Sequence, residues 1–271
     1  MLSKLLKYEF RDTARTIPLL YLISLIFAGF VLSAKTLNIG WFQMTTSVLL
    51  LLLGAAVSII TFVVVVMRFH KNLYSNEGYL MFTLPVKPGL LLASKSIVAF
   101  FWMILSYCVT AGAVFTSMYG LGVTGGLTMV MDELKSYGME KIIYLFIPSI
   151  IIATLYLLGQ IYFAVTMANR PAFHSTGTAA AFLVFIATNI ILQIAEAMFT
   201  IFVPFSVEID FESISASLTS KNMFGYILDS IKGIEPTGIV IGLGGYIFEI
   251  VMVCILFYVT SRWMKNKVSL K

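Results

Sequence analysis

The sequence predicts an all-α membrane protein with six transmembrane helices. Hydrophobic residues make up 59% of the 271 residues and charged residues only 11%, against about 25% charged in an average soluble domain. The apolar residues form six uninterrupted runs, each near or above the ~20 residues that a helix needs to cross a hydrocarbon layer. Because the runs do not alternate as barrel strands do, each is predicted to be a helix, which satisfies its backbone groups internally.

The six predicted spans cover residues 17–34, 44–67, 96–119, 142–168, 177–205 and 237–260. The first span is expected to be retained rather than cleaved as a signal peptide, because its basic leader is long and carries Glu9 and Asp12. The chain is therefore divided into an N-terminal segment, a transmembrane domain and a cytoplasmic tail, at residues 1–16, 17–260 and 261–271.

The distribution of charge predicts the orientation. With the N-terminus inside, 13 of the 18 Lys and Arg residues fall in cytoplasmic segments, and eight of the 13 acidic residues fall in outer loops. Cytoplasmic loops of membrane proteins carry an excess of Lys and Arg, so both termini are predicted to be cytoplasmic. The same asymmetry explains the basic pI of about 9.1. Nucleic-acid binding is not predicted, because it needs a solvated basic domain.

Several classes of enzyme are excluded by their missing motifs. The sequence contains neither a phosphate-binding loop nor a His-Glu-x-x-His pair, so ATP binding and metal-dependent proteolysis are not predicted on this chain. His70 and His174 fall at the cytoplasmic edge, where a solvated histidine is expected. Cys108 and Cys254 lie in different spans, far from any His pair. Neither a disulfide framework, a metal site nor a bound cofactor is expected.

Residues 1–16 are predicted to form an amphipathic helix along the inner membrane surface. Its basic face would bind anionic headgroups and its apolar face would lie at the acyl boundary. Glu9 falls within the apolar arc and breaks the pattern. The helix would serve either as an interfacial anchor or in docking a partner. The predicted basic face consists of Lys4, Lys7, Arg11 and Arg15, and the apolar face of Leu2, Leu6 and Phe10.

The cytoplasmic segment 68–95 connects the second and third spans and is predicted to be more than a linker. Ser75 and Asn76 can start a short helix, and residues 79–84 supply an apolar face. Pro85 and the Pro88-Gly89 pair then force a turn before the chain re-enters the membrane.

This segment resembles the corresponding loop in permease subunits of bacterial ATP-binding-cassette (ABC) transporters of the type-2 exporter class. The resemblance rests on three short motifs within a six-span layout that follows an amphipathic N-terminal helix: Glu77-Gly78-Tyr79-Leu80, Thr83-Leu84-Pro85-Val86 and Ser94-Lys95. It implies a coupling helix that rests in a groove of a cytoplasmic ATPase. The residues implied to contact the ATPase are Glu77, Gly78, Tyr79, Leu80, Phe82, Leu84 and Pro85.

The resemblance also implies the partners and the setting. ATP and Mg²⁺ would bind separate ATPase subunits, and a second permease chain, identical or related, would complete the pathway in a bacterial plasma membrane. The residues support a contact independently, because exposed Tyr79, Leu80 and Phe82 on a charged surface usually mark one. These side chains can instead lie against lipid headgroups. The short outer loops favour an amphipathic or hydrophobic cargo.

The fifth predicted span carries a polar stripe. Its members are spaced by four, three and four residues, which places them on one helical face. Because polar groups in hydrocarbon are costly, this face should point to a protein interior, another subunit or a wet cavity. It is interpreted either as part of a translocation pathway or as a set of inter-helix hydrogen bonds with an uncharged Glu196. The stripe consists of Asn189, Gln193, Glu196 and Thr200.

The sixth predicted span carries small residues on one face, at Gly238, Gly242 and Gly245, with Glu249 near the middle of the span. This spacing favours close helix packing, with Glu249 uncharged or paired with a neighbouring hydroxyl. Before it, residues 206–236 are predicted to be an outer helical element that caps the pathway, as in the resembled family.

Three functions remain open from the sequence. The leading hypothesis is an ABC exporter permease that works as a dimer. The second is a secondary transporter or channel in which Glu196 and Glu249 carry protons or bind a cation. The third is a membrane subunit that only anchors or senses.

Overall fold

The computed structural model describes residues 2–74, 86–123, 132, 135, 143–170, 177–210, 215–233 and 238–266. Within these residues, six helices are long and apolar enough to cross a membrane. This confirms the predicted class of a multi-pass helical membrane protein. The chain divides into two compact units: unit 1 comprises Met1–Met129 with Ser269–Lys271, and unit 2 comprises Val130–Val268.

Over its described residues, unit 1 contains four helices, and the two longest pack along each other. Helix α3 packs on α4, α2 contacts both, and α1 contacts α4. Hydrogen bonds between hydroxyl groups connect these helices. Tyr21 of α2 bonds Ser106 of α4 at 2.8 Å, and Ser106 donates to Thr61 of α3 at 2.8 Å. Such polar contacts and small residues hold membrane helices together, since lipid tails are as apolar as the side chains. The helices are α1 (Leu2–Thr13), α2 (Ile17–Thr36), α3 (Gly40–Tyr74) and α4 (Pro88–Gly120).

Helices α3 and α4 extend well beyond their predicted spans. They have 35 and 33 residues, or about 50 Å each at 1.5 Å per residue, against about 30 Å of hydrocarbon. The predicted cytoplasmic loop 68–95 is therefore helical at both ends, up to Tyr74 and again from Pro88. Pro88 is tolerated because the first helical position needs no backbone N–H. Only the segment between these residues connects the two helices.

The opposite end of unit 1 is closed by side chains that satisfy the last carbonyls of α4. Lys35 Nζ donates to the Tyr119 carbonyl at 2.5 Å and lies over the Tyr119 ring. Gln43 donates to the Gly120 carbonyl. These carbonyls have no partner inside the helix, so α2 and α3 cap the end of α4.

The described part of unit 2 contains three long helices and a small sheet. Helices α5 and α8 pack together, and α6 packs on both. The sheet is antiparallel in the order β2-β1-β3, with Ser206 opposite Thr219 on one side and Gly242 on the other. The elements are α5 (Ile143–Ala168), α6 (Gly177–Phe202), β1 (Ser206–Asp210), β2 (Ser215–Thr219), α7 (Met223–Ile231), β3 (Gly238–Gly242) and α8 (Gly244–Asn266).

The sheet corrects two predictions. Residues 206–236 were expected to be helical, but they contain β1 and β2 before the short helix α7, and residues 238–242 form a strand rather than the start of the sixth helix. Val207 and Ile209 of β1 are buried and pack with Leu243. The β-branched run in β3 is compatible with either a strand or a buried helix. The backbone pairing of residues 238–242 with β1 stabilises the strand rather than the helix.

The sixth membrane helix consequently begins and ends later in the sequence than the predicted span 237–260. It begins at Gly244 and continues to Asn266, so the predicted tail 261–271 is helical over its first residues. Glu249 lies only five residues after the start of α8, which is about 8 Å along the axis. The prediction that Glu249 lies near the middle of the span is therefore wrong.

Candidate functional site

Two adjoining cavities lie in unit 2 among α5, α6 and α8. Cavity A has a volume of about 520 Å³ and cavity B about 510 Å³. Glu196, Thr200 and Glu249 line both cavities. The other residues around cavity A are Tyr156, Leu157, Gln160, Asn189, Gln193, Ala197, Ile201 and Met223. Those around cavity B are Phe146, Ser149, Ile150, Ala153, Ile241, Gly242, Gly245 and Tyr246.

The structure brings the polar stripe of the fifth span together at cavity A. Asn189, Gln193, Glu196 and Thr200 all lie along its wall, because spacings of four and three keep them on one face of α6. Gln193 is exposed and the other three are half-buried. Thr200 Oγ1 donates back to the Glu196 carbonyl at 2.9 Å, so this hydroxyl proton is directed to the helix backbone rather than to a carboxylate.

Helix α5 contributes polar groups that the sequence reasoning missed. Gln160 is 2% exposed, and its Oε1 accepts a hydrogen bond from Asn189 Nδ2 at 3.0 Å. Tyr156 is buried in the same wall. The signal in the sequence is a single amide in the apolar run of the fourth span, since a buried amide needs a partner on a neighbouring helix.

Glu249 is the most deeply buried acidic group at the cavities. The residue is 8% exposed, and its Oε2 atom has no hydrogen-bond partner among the described residues. A buried carboxylate oxygen without a partner is costly. Residue Glu249 also lines both cavities.

Glycines bring α8 and the end of β3 against α6. A Cβ atom on Gly245 would lie 2.5 Å from Thr200 Oγ1, and one on Gly242 would overlap the Thr200 carbonyl. Close packing therefore depends on these two glycines. Gly238, in contrast, lines neither cavity and accepts a hydrogen bond from Tyr226 at its carbonyl. The prediction that Gly238, Gly242 and Gly245 share one helical face is wrong, because the first two lie in β3.

Both cavities lie at the end of unit 2 that carries the sheet. Ile241 and Gly242 of β3 line cavity B, and Met223 of α7 lines cavity A. Glu196 precedes the end of α6 at Phe202 by six residues, or about 9 Å. The sheet and α7 therefore border the cavities at this end.

Unit 1 contains a separate charged cluster, which joins α1 to α3 and α4. Lys95 Nζ donates to Glu9 Oε1 at 2.5 Å, and Arg68 Nε lies 3.6 Å from Glu9 Oε2. Arg68 also pairs with Asp12. The Lys95 and Glu9 side chains are 4% and 10% exposed. Glu9, which breaks the apolar pattern of the N-terminal segment, is therefore the group that joins this segment to both long helices.

The N-terminal segment is helical over Leu2–Thr13, and its predicted basic residues Lys4, Lys7, Arg11 and Arg15 are all exposed. Its apolar side packs on protein: Phe10 lies against Trp102 of α4, with ring centroids 6.1 Å apart. Trp102 Nε1 donates to Thr13 Oγ1 at 2.8 Å. Packing on α4 thus covers part of this side. Its contact with the acyl boundary and the binding of the basic residues to headgroups stay predictions.

The implied coupling residues Glu77, Gly78, Tyr79, Leu80, Phe82, Leu84 and Pro85 lie outside the described residues. The structure does describe the helices that flank them. Phe69 and Leu73 at the end of α3, and Leu91 and Leu92 at the start of α4, are at most 2% exposed.

Comparisons with known proteins add no identification. The chain matches no protein family, no curated protein and no solved structure. Its function therefore has to be argued from these two sites alone.

Proposed function

We propose that this chain is the membrane-spanning permease subunit of an ATP-driven ABC exporter. Separate cytoplasmic ATPase subunits would hold ATP and Mg²⁺ and grip the segment around Glu77. Two permease chains, identical or related, would form the pathway in a bacterial plasma membrane with both termini in the cytoplasm. The chain itself would carry out no chemical step.

The packed stem that leads to this segment is the observation that carries the proposal. Helix α3 continues seven residues past its apolar run, and α4 starts eight residues before the next one, which is about 10–12 Å of helix at each side. The stem is buried at Phe69, Leu73, Leu91 and Leu92. A packed helical pair transmits displacement because protein interiors are dense and hardly compressible. Force applied by a soluble partner at residues 75–87 would therefore move α3 and α4 together.

The ion pairs of Glu9 strengthen this argument. They connect α1 to Arg68 on α3 and Lys95 on α4, within the two halves of the stem. A simple lipid anchor would need only an apolar face and exposed basic residues. A buried charge shared by three helices instead fixes the orientation of the stem, as a coupling element requires.

The polar wall of cavity A is the proposed part of the pathway on this chain. On α6 this wall consists of Asn189, Gln193 and Glu196. Of the six candidate spans, α6 is the least buried: only 6% of its most hydrophobic stretch is covered by the rest of the chain. A helix with a polar face and little cover within its own chain fits a route completed by a second permease subunit.

Co-purification tests the proposal. The tagged full-length chain is extracted from its native membranes in mild detergent, and associated proteins are identified by mass spectrometry. We expect an ABC ATPase to be recovered in stoichiometric amount. Truncating a central contact costs about 2 kcal/mol or more, which is about 30-fold in affinity. Glu77→Ala and Leu80→Ala should therefore each deplete the ATPase strongly.

The matched control is Glu208→Ala, which removes a glutamate from β1 in the predicted outer region. It should leave recovery of the ATPase unchanged. Absence of any ATPase from the wild-type sample, or equal recovery with Glu77→Ala and Leu80→Ala, would contradict the ABC assignment.

A second function, secondary transport, is favoured by one observation. Glu249 is buried, and its Oε2 atom has no partner among the described residues. Intramembrane carboxyl groups of this kind mark proton or cation routes in transporters. In that case a proton gradient should drive transport without ATP, and Glu196→Gln should abolish it while Glu77→Ala has no effect.

A further inference from the structure

We propose that cavities A and B form one binding site for an amphipathic organic cation, whose ammonium group is held between Glu249 and Glu196. The inference names a substrate class for the transport function proposed above and rests on it. It is carried by the charge, the burial and the shape of the cavities in unit 2.

The charge of the walls selects a cation. Two carboxyl groups, Glu196 and Glu249, are shared by both cavities, and no Lys, Arg or His is among the described residues that line them. In a medium of low dielectric constant, two neighbouring carboxylates repel each other and favour a positive charge between them. An anionic ligand would meet these two carboxyl groups and, among the described lining residues, no cationic side chain.

The unpartnered Glu249 Oε2 atom indicates where the charge binds. Its residue is 8% exposed, and this oxygen has no hydrogen-bond donor among the described residues. The nearby hydroxyl of Thr200 donates to the Glu196 backbone. An ammonium group brings two or three N–H donors and a positive charge, so it can pair with the Glu249 carboxyl group and with Glu196, which lines the same two cavities.

The volume and the apolar walls of the cavities favour an organic cation with a large apolar group. Each cavity measures about 510–520 Å³, within the range of roughly 300–1,000 Å³ that is common for small-molecule sites. Leu157 and Ile201 offer apolar surface in cavity A, and Phe146 and Tyr246 in cavity B. A ligand with an ammonium head and an aromatic or aliphatic body would place its head at the carboxyl groups and its body along these residues.

A divalent metal ion fits less well. Ca²⁺ requires six to eight oxygen ligands at about 2.3–2.6 Å. Over the described part of the chain, no group of three His, Cys, Asp or Glu residues is placed to hold a metal ion. The two carboxyl groups are thus better matched to the hydrogen-bond donors of an ammonium group.

Binding to the isolated full-length chain tests the inference. The protein is reconstituted in lipid nanodiscs without an ATPase, and equilibrium dialysis measures its affinity for 1-naphthylmethylammonium. The neutral 1-naphthylmethanol and the anionic 1-naphthoate serve as probes of nearly equal shape, and empty nanodiscs correct for partition into lipid. We expect saturable binding of the ammonium probe, at least tenfold tighter than that of either analogue.

Glu249→Gln and Glu196→Gln should each weaken binding of the ammonium probe at least tenfold, whereas Glu208→Gln, outside both cavities, should not. Equal affinity for the ammonium probe and the neutral alcohol would overturn the inference, and this comparison needs no variant to fold. Displacement of the probe by Na⁺ but not by choline at equal ionic strength would also overturn it, in favour of an inorganic cation.

The outcome is distinguishable from a failure of the proposed function. Binding is measured without an ATPase or ATP, so its loss in the glutamine variants concerns only the cavities. Co-purification with variants at Glu77 concerns only the coupling segment.

Discussion

Breaking the ion pair between Glu9 and Lys95 should reduce the stability of unit 1 measurably. Nζ and Oε1 are 2.5 Å apart, and both side chains are at most 10% exposed. At an effective dielectric constant of about 20, two charges at this distance attract by roughly 6–7 kcal/mol, much of which offsets the loss of hydration. Removing one partner of a buried pair typically costs about 3–5 kcal/mol. Because Arg68 lies 3.6 Å from Glu9, we expect about 3 kcal/mol for Lys95→Met.

A double-mutant cycle separates this pair from its surroundings. Lys95→Met, Glu9→Gln and the double variant are unfolded by titration with SDS in mixed micelles, followed by tryptophan fluorescence. The double variant should lose less free energy of unfolding than the two single variants together, with a coupling of about 2–3 kcal/mol. Lys7→Met, at an exposed position of α1, should change stability by less than about 0.5 kcal/mol. A coupling below 0.5 kcal/mol would refute the role assigned to Glu9.

Three further changes test the packing in each unit. Gly245→Ala should destabilise unit 2 by about 1–3 kcal/mol, because the new methyl group meets Thr200 Oγ1 at 2.5 Å; Gly112→Ala, where no atom lies within 4 Å, should cause no loss in the same SDS titration. Tyr21→Phe should cost about 0.6–1.7 kcal/mol by removing its hydrogen bond to Ser106, and an unchanged unfolding midpoint would contradict that bond. Gln160→Leu should destabilise unit 2 by about 0.6–1.7 kcal/mol in the same titration, because it leaves the Nδ2 atom of Asn189 without its acceptor; equal midpoints for the variant and the wild type would contradict this contact.

The membrane helices were predictable because their signal is strong and local. Runs of about 20 apolar residues have few alternatives to a spanning helix, and all six are found. Their ends were not predictable to the same degree. The extension of α3 to Tyr74 mixes charged, polar and apolar residues. A hydropathy pattern therefore does not mark where the helix ends.

The sheet was missed because its segments are short and their pairing is non-local. Residues 238–242 contain three consecutive β-branched residues, which suit the start of a buried helix as well as a strand. Only pairing with β1, whose residues lie 28 to 36 positions before their partners in β3, selects the strand. A sequence pattern within one window carries no information about such a partner.

The candidate sites were predictable in part. The spacing of Asn189, Glu196 and Thr200 predicts their shared face, which follows from helix geometry alone. Their proximity to Glu249 and Gln160 depends on how α5, α6 and α8 pack, and one sequence does not contain that information. Glu9 was identified as an exception to the apolar pattern, but its partners at Arg68 and Lys95 are 59 and 86 positions away.

ATP-driven transport in reconstituted vesicles tests the central claim most directly. The chain and its co-purified ATPase are inserted into liposomes, and uptake of 1-naphthylmethylammonium is followed with ATP or a proton gradient as the only energy source. We expect uptake that requires ATP on the face carrying residues 75–87, persists with a protonophore and is lost with Glu77→Ala. Uptake that a proton gradient drives without ATP, and that survives Glu77→Ala but not Glu196→Gln, would contradict the assignment as an ABC permease.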